Sequence, residues 1–207
     1  MKKIFCISLI MLPVLCIAQT KPGKAEKIIS ISGGNSFSGT GDIAGIFIKA
    51  GFQKKVNRWN YNLFLNTTIH DHIKPIFFQT SSGQTIDASI RHSVSGIELT
   101  PVICYSLWSM KKHDLYFGLG ATLRYQSNGD NDSYALLYPA ATGLSMPVLY
   151  FQNREKLRTF AIGPIGQLAY DFDISKNLLI GTMTSFQFDT NGDSFWNYGL
   201  KLGYRLN

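Results

Sequence analysis

Three cysteines are few for an exported chain, and two of them, Cys6 and Cys16, fall in a stretch that reads as a leader. Only Cys104 remains beyond it. An intramolecular disulfide is therefore excluded, and the fold has to hold by backbone pairing and packing. There is also no run of about 18 consecutive apolar residues, which excludes an ordinary membrane-spanning helix. No basic cluster is longer than Lys54-Lys55 or Lys111-Lys112, so nucleic acid is not an expected partner.

The leader is read from Lys2 and Lys3, the apolar run Ile4 to Ile17 broken by Ser8 and Pro13, and small residues at Cys16 and Ala18 where a signal peptidase reads. Residues 1–18 are thus expected to be a removed signal peptide. A lipoprotein anchor at Cys16 is a poorer reading, because Leu15 is bulky where a small residue is required. Residues 19–26 are expected to form a short N-terminal periplasmic segment, and residues 27–207 a single domain. Loss of Lys2 and Lys3 lowers the formal charge from +7 to +5, a mildly basic chain.

What is abundant is period-two alternation. In the closing SFWNYGLKLGYRLN, residues 194–207, Trp196, Tyr198, Leu200, Leu202, Tyr204 and Leu206 alternate with Asn197, Gly199, Lys201, Gly203 and Arg205. Similar alternation runs through residues 59–70, 115–126 and 180–189, each with one apolar face and one that is mostly polar or small. Four further stretches, at about 27–34, 42–53, 94–107 and 159–172, fit less cleanly. Together they predict an all-β protein, an eight-stranded antiparallel up-and-down transmembrane β-barrel.

The connections agree in phase. Short turns are expected near 54–58, 108–114 and 173–177, and outer loops at 35–41, 71–93, 127–158 and 190–194, two of them long. This is the asymmetry of outer-membrane barrels. Aromatics are placed for two interfacial girdles: Trp59, Tyr105, Trp108, Phe117 and Tyr204 toward the inner side, and Tyr125, Phe186, Phe188, Trp196 and Tyr198 toward the outer. A soluble lipocalin-like barrel is the structural rival, with apolar side chains turned inward around a ligand. The girdles and turn phasing favour the membrane.

The leader, eight alternating strands, glycine-rich inward faces and closing Tyr204-Arg205-Leu206-Asn207 resemble the small outer-membrane β-barrel superfamily typified by OmpA and OmpX. The resemblance covers most of residues 19–207. It implies outer-membrane localisation, contact with outer-membrane lipid and with the assembly machinery, a monomer, and no cofactor. Such barrels commonly finish on an aromatic residue, whereas this chain finishes on Asn207.

Eight strands leave room inside for side chains and not for a wide channel. Lys49, Glu98, Arg124, Lys201 and Arg205 all have inward parity. A turn centred near Lys111 sets Glu98 opposite Arg124, which predicts an ion pair in the plug with Lys49 or Lys201 near. The sequence leaves open two partly hydrated charges at different depths.

Catalytic signals are thin. Tyr125-Gln126-Ser127-Asn128-Gly129 is similar to the His-x-Ser-Asn stretches of outer-membrane lipid A deacylases and phospholipases, but Tyr125 stands where they need a histidine base. Tyrosine, with an ordinary pKa near 10, is a poor base at neutral pH. The expectation is therefore no enzyme, with Ser127 as the alternative nucleophile of a lipid A or phospholipid hydrolase. His70 and His72 share a face, yet no metal site is expected. The third outer loop is unusually apolar, and Tyr134, Tyr138, Tyr150 and Phe151 mark it as a surface for contact. Pro101 and Pro164 fall mid-strand, where each removes a ladder donor. Either a bulge accommodates each one, or the pair marks a weak seam resembling the lateral gaps of the outer-membrane lipid A palmitoyltransferase.

Overall fold

The computed structural model describes residues 25–39, 43–79, 83–87, 89–128, 133–144, 147–152 and 158–206, with only the backbone described for Lys74, Phe78, Ile86, Ile90, His92, Asn128, Ser133, Tyr134, Leu149, Phe151 and Gln152. The leader 1–18, the segment up to residue 24 and Asn207 lie outside the described residues.

Eight strands close on themselves, each antiparallel to both neighbours. They are β1 (Glu26–Ser38), β2 (Ile43–Val56), β3 (Trp59–Lys74), β6 (Ile90–Ser109), β7 (His113–Asn128), β10 (Arg158–Asp173), β11 (Leu178–Phe188) and β12 (Ser194–Leu206). Neighbours in sequence are neighbours in space, and β1 pairs with β12 to seal the wall. A closed wall leaves no unpaired edge, the condition for crossing hydrocarbon with strands. Two small hairpins stand apart from the wall in the outer loops: β4 (Phe77–Gln79) with β5 (Thr85–Asp87), and β8 (Ser133–Leu137) with β9 (Val148–Gln152).

Parity sets the faces. Along β11, alternate residues from Leu179 to Gln187 are buried while Ile180, Phe186 and Phe188 are exposed. Along β3, Asn60, Asn62, Asn66, Thr68 and His70 point inward and are buried, and Leu63, Leu65 and Ile69 are exposed. Polar inside and apolar outside is the reverse of a water-soluble barrel. The lipocalin-like rival is thereby excluded, and the wall is transmembrane.

Several strands run further than alternation of apolar residues suggested. β1 continues through Asn35-Ser36-Phe37-Ser38, where the pattern predicts a loop, because Ser36 and Ser38 still fill inward positions. β3 and β6 also continue past the apolar belt into the expected loop at 71–93, pairing as far as Lys74 with Ile90. Above the belt both faces meet water, so hydropathy loses its period while the ladder persists.

The turns at the terminal end are tight. Asn57 adopts the left-handed region at φ 57° to join β2 and β3. On the wall, Gly34 and Gly199 sit where β1 and β12 approach closely: a Cβ on Gly34 would lie 2.2 Å from the Tyr198 carbonyl oxygen, and one on Gly199 would lie 2.3 Å from that of Gly33.

Neither proline produces the expected bulge. The β6–β7 ladder skips Thr100 and Pro101 opposite Ala121 and Thr122, then resumes in the same register at Val102 and Gly120. Pro164 pairs with Ala121 on β7, and the ladder to β11 begins one residue later at Ile165. The single register shift described in the wall lies between Ser106 and Trp108. It makes Leu107 and Trp108 both exposed, turning Trp108 outward although its parity is that of inward residues.

Candidate functional site

The exterior carries both girdles. On the terminal side the Trp59 and Tyr105 rings meet edge to face with centroids 5.1 Å apart, and Trp108 stacks with His113 at 6.0 Å. The polar tips turn to the interface: Arg58 Nη1 donates to the Tyr105 hydroxyl at 3.3 Å, and Asn177 Nδ2 donates to that of Tyr204 at 3.3 Å. On the other side Phe186 and Phe188 pack at 4.6 Å, Trp196 Nε1 donates to Thr184 Oγ1 at 2.8 Å, and Asn35 Nδ2 donates to the Tyr198 hydroxyl at 2.9 Å.

The lumen holds two polar clusters. In the outer one Glu98 and Arg124 stand directly opposite, and the guanidinium donates to the carboxylate. Asn66 Nδ2 donates to Glu98 at 2.8 Å and Gln187 Nε2 at 3.0 Å, while Arg124 Nε donates to Gln126 at 2.7 Å and the guanidinium lies 3.7 Å from the Phe195 ring centroid. Gln126 in turn donates to Asp193 at 2.8 Å, tying the cluster to the turn between β11 and β12. Such multiple bonding is what a buried ion pair requires to offset desolvation.

The inner cluster centres on Lys201. Its Nζ donates to Asp171 at 2.8 Å, to the Tyr116 hydroxyl at 2.7 Å and to Gln53 at 3.1 Å. Of the two lysines expected near Glu98 and Arg124, Lys49 stands directly opposite Asn66, which donates to Glu98, while Lys201 does not join them. It lies lower on β12 and meets Asp171, a carboxylate on β10 that the sequence reading passed over although its parity is inward. Nearer the terminal rim, Lys55 pairs with Asp114 at 2.6 Å and Arg205 with Asp173 at 2.7 Å. An apolar layer that includes Phe47, Phe64, Val102, Ile165, Ala169 and Met183 also fills the lumen. Lys49 is buried beside it, 5.0 Å from the Phe64 ring centroid and 5.8 Å from that of Phe47, and among the described residues its Nζ has no hydrogen-bond partner.

The remaining candidates separate. Ser127 is half-buried at the outer end of β7, opposite Ser95 and Arg158, with Tyr125 packed on Phe160 at 4.7 Å. Among the described residues no His, Asp or Glu hydrogen-bonds to it. His70 is buried in the lumen with Nε2 at 2.9 Å from Ser36 Oγ, whereas His72 is exposed, so the two do not act as a clasp. In the third outer loop Tyr138 and Tyr150 are exposed, together with Leu137 and Leu144. A single helical turn, Pro139–Thr142, joins the β8–β9 hairpin and ends at Gly143 in the left-handed region. The side chains of Tyr134 and Phe151 lie outside those described.

No family model and no curated protein sequence matches the chain. Among solved structures it is similar to the outer membrane protein OprG from Pseudomonas aeruginosa, at 12% identity over 91% of this chain and 99% of that one, with a TM-score of 0.49. It is similar also to Ail, the attachment invasion locus protein of Yersinia pestis, at 12% identity over 89% and 100%, TM-score 0.48. A third is Neisserial surface protein A, at 11% identity over 88% and 95%, TM-score 0.46.

Proposed function

We propose that this protein is a plugged outer-membrane barrel, monomeric and non-enzymatic, whose role is structural or adhesive and whose contact surface is the third outer loop. The observation that carries the reading is the inside-out wall: an apolar belt bounded by aromatics encloses a lumen filled by two ion-paired clusters and an apolar layer. A lumen so filled supports a surface role over bulk transport. The exposed Tyr138, Tyr150, Leu137 and Leu144 support contact through the loop. The absence, among the described residues, of a base bonded to Ser127 supports the non-enzymatic reading over hydrolysis of lipid A or phospholipid.

The test displays the protein on cells and compares it with a variant carrying Tyr138→Ser, Tyr150→Ser and Leu144→Ser. Attachment to surfaces that falls in the variant while the barrel remains heat-modifiable on a gel supports adhesion through the loop. Attachment equal to that of cells without the protein leaves the structural role. Release of fatty acid from lipid that disappears with Ser127→Ala would instead make it a hydrolase.

A further inference from the structure

We infer that Lys27 and Lys54 clamp the phosphate of an anionic glycerophospholipid on the lipid-facing side of the wall, at its terminal rim. The two lysines are direct register partners across β1 and β2, and both are exposed. Each has the parity of the lipid-facing residues, two positions from Ile29 and Phe52, which are partners in turn. Like charges placed directly opposite on a sheet repel. Among the described residues no carboxylate relieves them, because those of this rim are engaged elsewhere. Asp114 pairs with Lys55 at 2.6 Å, Asp173 with Arg205 at 2.7 Å, and Glu26 Oε2 lies 3.2 Å from Arg205 Nε.

The surrounding wall points to a lipid as the counter-charge. The row of the two lysines continues to Leu206 on β12, the partner of Lys27, and to Tyr61 on β3, the partner of Lys54. It thus adds a phenolic hydroxyl and no carboxylate. The next row toward the belt is Tyr204, Ile29, Phe52 and Leu63, again direct partners and all exposed. A phosphate held between the two ammoniums therefore has apolar wall directly beyond it for an acyl chain, and the lysine stems lie along the same surface. A soluble acidic partner would leave that row uncovered. The rest of the rim has the same sign: Arg58, Lys111, Lys112 and Lys176 are exposed and without an ion pair among the described residues. At the opposite rim the described side chains carry the reverse, Asp71, Asp87, Asp189 and Asp193 against Arg91 and Arg158. Cations that border the aromatic girdle stand at the level of anionic headgroups.

The experiment places the full barrel in phosphatidylcholine vesicles containing increasing phosphatidylglycerol. Trp108→Phe and Trp196→Phe leave Trp59, one outward position from Tyr61 on β3, as the reporter. Brominated phosphatidylglycerol quenches Trp59 more than the same fraction of brominated phosphatidylcholine, with a preference of roughly fivefold or more, the worth of one lysine at an anionic surface. Lys27→Gln/Lys54→Gln abolishes the preference. Lys111→Gln/Lys176→Gln, which removes the same charge from the same rim, keeps it, and so does inorganic phosphate added at constant ionic strength. The urea unfolding midpoint gives a second reading. In phosphatidylcholine alone Lys54→Gln raises it by relieving the repulsion, whereas in phosphatidylglycerol the same change lowers it by removing the bridged phosphate. Equal quenching by the two lipids overturns the site, as does a preference that survives in Lys27→Gln/Lys54→Gln. Equal loss in Lys111→Gln/Lys176→Gln would reduce it to a diffuse basic rim, and abolition by inorganic phosphate would make it a site for the free ion; either result overturns the lipid clamp. A midpoint that Lys54→Gln shifts in the same direction in both lipids does so too.

Discussion

Glu98 and Arg124 face each other across β6 and β7 with both side chains sealed from solvent. Removing either one leaves the other charge stranded. Glu98→Gln or Arg124→Met alone is expected to cost about 3–5 kcal/mol, whereas Glu98→Gln/Arg124→Met together costs less than the sum, because no uncompensated charge remains. Urea unfolding in detergent checks this. A double variant whose loss equals the sum of the two would show that the pair is not coupled.

Asp171 and Lys201 form a separate unit from Glu98 and Arg124, with no hydrogen bond between the two clusters among the described residues. Losses from Asp171→Asn and Glu98→Gln are therefore expected to add to within about 0.5 kcal/mol. A larger deviation in the same unfolding assay would mean that one network spans the lumen.

A side chain at Gly118 has nowhere to go, since a Cβ there would lie 2.2 Å from Cys104 Sγ and 2.9 Å from Val102 Cγ1. Gly118→Ala is expected to destabilise by about 1–3 kcal/mol through overpacking, and Cys104→Gly in the same chain to restore part of it. Unfolding midpoints of the single and double variants read this directly, and an unaffected Gly118→Ala would contradict the packing.

Asp189, in the turn beyond β11, has its carboxyl raised above the ordinary range, first by desolvation and then by the neighbouring Asp193 charge, against the backbone amides of Asn191 and Asp193 that favour the anion. A raised carboxylate pKa means that the folded state holds the proton more tightly than the unfolded one. Its stabilising contribution is full below the unfolded value and is lost as pH rises through the folded value. Asp189→Asn, which keeps an acceptor for both amides, is expected to flatten that part of the pH–stability curve. Retention of the same dependence in Asp189→Asn would assign it to another group.

Parity along single strands made much of this fold legible. Glu98 and Arg124 were readable because a tight turn joins their strands, and a turn fixes register locally. Lys201 and Asp171 were not, since β11 stands between their strands and their meeting depends on how tilted strands bring side chains together across the lumen. Trp108 shows a different limit: its girdle position was read from its chemistry, while the bulge at Leu107 that turns it outward leaves no mark in the sequence. The prolines suggested bulges that the wall does not contain, because a ladder can omit a donor without gaining a residue. The continuation of β3 and β6 above the belt was hidden for want of apolar contrast.

The most direct test of the inside-out barrel is the accessibility of nitroxide labels placed one at a time at Asn62, Leu63, Leu65 and Asn66 on β3, with the protein in lipid vesicles. The account predicts that labels at Leu63 and Leu65 collide with dissolved oxygen, which concentrates in hydrocarbon, while those at Asn62 and Asn66 are shielded from it. Labels at Leu63 and Leu65 relaxed by a water-soluble nickel complex in place of oxygen would contradict it.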